Sequence, residues 1–119
     1  MDGSEQKERA ASQAPRRFPR YQVDIRVSLQ VFRPSGTVSF WGRSTELGED
    51  GIGATLTGEV EPGEVVSMEL SLPAASHPMK FRALVRYRTG LRHGFEFLAL
   101  NSQQKGALRR LCEMLTSGT

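Results

Sequence analysis

The sequence predicts an all-β-dominated domain: six short antiparallel strands in a barrel or sandwich, then one C-terminal helix, with a flexible arm in front. Three observations predict it. Apolar and polar residues alternate with a period of two in segment after segment. Turn-forming clusters separate those segments at roughly 8–12-residue intervals, and no helical pattern intervenes to build a βαβ unit. A 3.6-residue period occurs once, near the C-terminus.

The elements follow in order. Residues 1–14 are polar and lack periodicity, which predicts a flexible arm. Val23, Ile25, Val27, Leu29 and Val31 alternate with Asp24, Arg26, Ser28 and Gln30, the pattern of a half-buried strand. Arg33-Pro34-Ser35-Gly36 is a hairpin turn. The second strand covers residues 37–45, with Val38 and Phe40 on one face, Ser39, Trp41 and Arg43 on the other, and Gly42 at a bend or bulge. Residues 47–53 hold three glycines and two acids, a turn that needs unusual backbone angles or close backbone approach.

Ile52, Ala54 and Leu56 face inward from a third strand, and Glu61-Pro62-Gly63 turns the chain. Val66, Met68, Leu70 and Leu72 mark the fourth strand. Phe81, Ala83, Val85 and Tyr87 mark the inner face of the fifth, opposite Arg82, Arg86 and Arg88. The sixth spans residues 91–100, with Phe95, Phe97 and Ala99 inward and Gly94 at a close-packed point. Asn101 and Gln104 have the spacing of a capping box. Leu108, Leu111, Cys112 and Leu115 then make one apolar helical stripe, suited to cover an open end of the barrel.

Composition limits the function classes. The 119 residues suit one domain: an arm over residues 1–14, a folded unit over 15–116 and a tail over 117–119. Sixteen basic residues face thirteen acidic ones, a net charge of +3 and weak support for a nucleic-acid binder. Cys112 has no partner for an intrachain disulfide and reads as a packed thiol in a cytoplasmic protein. No His/Cys spacing points to a metal. No P-loop or nucleophile–base motif points to catalysis, so no enzyme is expected. Nothing approaches the roughly 18 apolar residues of a membrane span.

Two polar stretches stand out. Arg16-Arg17-Phe18-Pro19-Arg20-Tyr21 places two arginines four apart just before the first strand, and Pro19 keeps Phe18 extended. Glu46-Leu47-Gly48-Glu49-Asp50-Gly51 forms the turn between the second and third strands. A barrel bringing them together would make an anion site. The guanidinium fork donates paired hydrogen bonds to phosphate or to a guanine edge. Glu49 and Asp50 read as a solvated turn, and Arg82, Arg86 and Arg88, with His93 on the neighbouring strand, as a solvated basic face. Trp41 suits either stacking on a purine or ordinary packing.

This order of features resembles the PilZ family, bacterial receptors for cyclic di-GMP. Arg16 to Tyr21 is similar to the family's Arg-x-x-x-Arg motif, and Gly51-Ile52-Gly53-Ala54 to the end of its Asp/Asn-x-Ser-x-x-Gly motif. His93-Gly94-Phe95-Glu96-Phe97 is similar to its last-strand signature. The resemblance covers about residues 15–115 and implies a six-stranded PilZ-like antiparallel β-barrel. It further implies a cyclic di-GMP site at Arg16, Arg17, Arg20, Glu46, Gly48 and Gly51, with no cofactor. The partners implied are the nucleotide and an unidentified protein of motility, adhesion or polysaccharide control.

Glu46 stands where the family has Asp or Asn, and Gly48 where it has Ser. On the resemblance, Gly48→Ser should restore a hydroxyl contact to the ligand. The same departures motivate the alternative, a PilZ-like interaction module that binds no nucleotide. A third reading, a small basic barrel binding single-stranded nucleic acid, is disfavoured by the weak net charge.

Overall fold

The computed structural model describes residues 18–117. Its elements are β1 (Tyr21–Gln22), β2 (Arg26–Arg33), β3 (Gly36–Leu47), β4 (Gly51–Leu56), β5 (Val65–Leu70), β6 (Met79–Thr89), β7 (Arg92–Leu98) and α1 (Ser102–Ser117). Strands β2 to β7 close into an antiparallel barrel in the order β3-β2-β5-β6-β7-β4, with β3 pairing to β4, and β1 attaches outside it to β3. The six expected barrel strands are therefore present, and β1 is an addition. The expected arm over residues 1–14, Arg16 and Arg17, and residues 118–119 of the tail lie outside the described residues.

Closure depends on β3. Its first part pairs with β2 from Arg33↔Gly36 to Arg26↔Arg43, and its last part pairs with β4 from Gly42↔Leu56 to Leu47↔Ile52. Gly42 belongs to both ladders, and a Cβ there would strike the Thr55 carbonyl oxygen. The bulge expected near Gly42 falls instead between Ser44 and Glu46.

The period-two pattern fills the interior as expected. Val27, Leu29, Val31, Ile52, Ala54, Val66, Met68, Leu70, Phe81, Ala83, Val85 and Phe95 are buried in one core. Leu108, Leu111 and Cys112 of α1 join that core. The capping box forms: the Asn101 N–H donates to Gln104 Oε1 and the Gln104 N–H to Asn101 Oδ1, both at 2.8 Å. Burial among apolar side chains, then Glu49 and Asp50, push the Cys112 thiol up to about 11, consistent with a packed, unreactive sulfur.

Four local expectations are corrected. The first strand does not run from Val23. Ser44 is buried, takes the Ile25 N–H on its hydroxyl at 2.9 Å and donates to the Val23 carbonyl. Its side chain thus stands in for part of the ladder, beside one remaining backbone bond from the Ser44 N–H to the Ile25 carbonyl at 2.9 Å. Tyr87 does not face inward, because a register shift between Val85 and Tyr87 turns it out to lie over Gly94. Ala99 is exposed, with φ at 51°, because the chain leaves β7 toward the helix cap. His93 is no part of an outer basic face. It is wholly buried, accepts the Val60 N–H on Nε2 at 3.1 Å and directs Nδ1–H to the Leu91 carbonyl at 2.8 Å.

Candidate functional site

The bridge made by Ser44 determines where the arginine loop lies. With residues 23–25 held against Ser44, β1 is in register to pair Tyr21 with Leu47 and Gln22 with Glu46. Arg20, one residue earlier, therefore lies against the β3–β4 turn. Gly48 N–H donates to the Gly51 carbonyl at 2.9 Å, so Glu49 and Asp50 form the tip of a tight hairpin.

Arg20 is enclosed by that turn, its side chain 13% exposed. Nη1 donates to Glu46 Oε2 at 3.3 Å, and Nε lies 3.4 Å from Asp50 Oδ1. Neither Arg20 Nε nor Asp50 Oδ1 has a hydrogen-bond partner among the described residues, although both are buried. Their contact is thus electrostatic without hydrogen-bond alignment.

The three glycines of the turn explain how an arginine fits there. None of them has a left-handed φ, so close approach is their role. A Cβ on Gly48 would sit 2.7 Å from the Pro19 carbonyl and 2.8 Å from Arg20 Cδ. One on Gly51 would sit 2.8 Å from Arg20 Nη2 and strike the Phe95 carbonyl. One on Gly53 would sit 3.2 Å from Glu46 Cγ, its cross-strand neighbour. Gly48 and Gly51 make room for the arginine, and Gly53 makes room for its carboxylate.

Beside this cradle opens a cleft of about 420 Å³ lined by Phe18, Glu49, Asp50, Glu96, Phe97, Leu100, Lys105 and Arg109. Helix α1 forms one wall, and Arg109 Nε approaches Glu49 Oε1 at 4.0 Å. The Phe97 N–H donates to the Asp50 carbonyl at 2.9 Å, fixing the turn to β7. The site can offer a guanidinium, carboxylates and two flanking cations, Lys105 and Arg109, to a polar ligand.

Of the expected site residues, Arg20, Glu46, Gly48 and Gly51 come together, while Arg16 and Arg17 lie outside the described residues. Asp50, expected as a solvated turn residue, is instead a close neighbour of Arg20. Local spacing does not mark it, because the approach of Arg20 to the glycines on either side of Asp50 depends on closure of the barrel. Two arginines of the expected basic face are engaged elsewhere: Arg86 with Glu96 at 2.9 Å, and Arg88 with Glu61 at 3.0 Å. Among the described residues no group of three or more His, Cys, Asp or Glu is placed to hold a metal ion. No described helix is long and apolar enough to cross a membrane.

The sequence matches the family model for the PilZ domain over residues 14–114. Similar solved structures include the PilZ domain of CeSA from a cellulose-synthesizing bacterium. It shares 18% identity and a TM-score of 0.64, over 82% of this chain and 98% of that one. The PilZ domain of YcgR from Escherichia coli, solved with c-di-GMP, shares 19% identity and a TM-score of 0.66, over 87% and 92%. The Bacillus subtilis inhibitor of motility MotI/DgrA shares 17% identity and a TM-score of 0.64, over 87% of this chain and 52% of that one. No curated protein matches.

Proposed function

The chain belongs to the PilZ domain family, and from that premise we propose that it is a cyclic di-GMP receptor domain acting in the cytoplasm. The observation that carries this reading is the seating of Arg20 against the turn from Glu46 to Gly51. A guanidinium held there presents donors to a guanine O6/N7 edge or a phosphate. The Glu46 carboxylate can accept from guanine N1–H and N2–H₂. Arg20 Nε, buried without a hydrogen-bond partner among the described residues, is a donor for a ligand acceptor. Arg16 and Arg17 precede it in the chain and supply further cations for the phosphates. Clamping of the nucleotide by this segment would change the surface next to β1 and α1, which a protein partner of motility, adhesion or polysaccharide control could read.

A second reading also has an observation behind it. Arg20 already has two carboxylates beside it, and Pro19 and Arg20 fill the space over Gly48. A chain stably closed in this way would serve as a nucleotide-independent interaction module.

Calorimetric titration of the chain with cyclic di-GMP, alongside amide shift mapping, separates the two. Binding with shifts at Arg20, Glu46 and Gly51, lost in Arg20→Ala, supports the receptor. No heat and no shifts up to about 1 mM ligand would leave the module.

A further inference from the structure

Away from the arginine turn, the outer face of β3, β2, β5 and β6 carries a groove of about 350 Å³. The ladders fix its layout. One row runs across the four strands as Trp41, Ser28, Glu69 and Lys80, each opposite the next. The adjoining row runs Ser39, Gln30, Ser67 and Arg82. At roughly 4.8 Å between strands, the first row spans about 14 Å.

Two features point to a ligand. Trp41 is 50% exposed on a strand where a small polar residue would suffice. Arg26 stacks over its ring at 5.3 Å, from the row on the other side of Trp41 from Ser39 and Gln30. The cation backs one face of the indole, and Trp41 also lines the groove. The floor is short and hydrogen-bonding: three serines and a glutamine, all able to donate and accept. Its one acid and one base, Glu69 and Lys80, stand directly opposite each other and cancel.

We propose that this groove binds a neutral oligosaccharide, one pyranose ring stacked on Trp41 and its hydroxyls met by Ser28, Gln30, Ser39 and Ser67. A sugar ring has the needed combination of an apolar face and a rim of hydroxyls. The strand face of another small barrel fold binds oligosaccharides as well as oligonucleotides. Single-stranded nucleic acid would need several cations in line with its phosphates, whereas here Lys80 faces Glu69 and Arg26 is engaged by the Trp41 ring, which leaves Arg82 beside the groove.

Trp41 is the sole tryptophan of the chain, so its fluorescence reports on this groove alone. Titration with cellohexaose should shift its emission saturably. Gln30→Ala, which keeps the reporter on an exposed position, should weaken binding about three- to tenfold, as loss of one hydrogen-bonding side chain does. Arg20→Ala should leave it unchanged. No shift up to about 10 mM hexasaccharide would overturn the proposal. So would an unaltered affinity in Gln30→Ala, or binding of a deoxythymidine decamer in place of the sugar.

Discussion

Arg20 Nη1 donates to Glu46 Oε2 at 3.3 Å across 26 residues of sequence, and both side chains are more than three-quarters shielded from water. The pair fastens the segment before the barrel to the turn between β3 and β4. A double-mutant cycle of Arg20→Ala and Glu46→Ala should give a coupling of about 1 kcal/mol in unfolding free energy. The coupling should shrink in high salt. A coupling near zero would mean that the pair only passes time together.

Gly48→Ser should weaken cyclic di-GMP binding. The family resemblance suggests the opposite, because serine is usual there. In this chain Pro19 and Arg20 occupy the space that the new Cβ would need, at 2.7 and 2.8 Å. The loop must move, and Arg20 moves with it. A loss of about tenfold in affinity is expected, the equivalent of about 1.4 kcal/mol. Tighter binding would show that the loop lifts freely and that the hydroxyl matters more.

Ser44→Ala should destabilise the fold by about 1–3 kcal/mol, because it leaves the Ile25 N–H and the Val23 carbonyl without the hydroxyl that serves both. The same change loosens the register of β1 and should lower ligand affinity as well. Chemical denaturation and titration of one protein sample measure both effects. Loss of stability with affinity intact would show that Arg20 holds its place without β1.

The buried His93 makes stability depend on pH. Its pKa is lowered, first by burial and then by Arg88, with the Leu91 hydrogen bond, Glu59 and Glu61 acting in the other direction. The unfolded chain binds the proton more readily than the folded one. The contribution is therefore complete above about 6.5 and is lost as pH falls below it toward the folded value. The melting temperature should drop between pH 7.5 and 5, and His93→Gln should flatten that drop. A second loss should begin near 4.5 and below, where Glu64, held down by Arg33, takes up its proton. A side-chain NMR titration placing His93 at its ordinary value would contradict the first window.

Much of this was legible in the chain. Val27, Leu29 and Val31 show their strand by alternation, and Asn101 with Gln104 shows its helix start, because both depend on local spacing. His93 was legible in principle, since it shares the inward phase of Phe95 and Phe97, but a histidine in an apolar row is easily read as an edge residue. Tyr87 was not, because the register shift that turns it outward depends on β7 and leaves no mark in β6 itself. The joining of Arg20 to Asp50 was hidden for the same reason. It needs the barrel to close and Ser44 to hold residues 23–25, and no local pattern encodes a contact over 30 residues.

Strand β1 is two residues long and sits outside the closed ladder. It can therefore detach with Arg20 while every barrel strand keeps its neighbours. Opening of this kind is a local event with its own small free energy. In hydrogen exchange, the amides at the β1–β3 junction should trade with solvent long before those of β2 and β5. A bound ligand should slow that early class alone, so the barrel serves as the clock against which occupancy of the turn is read.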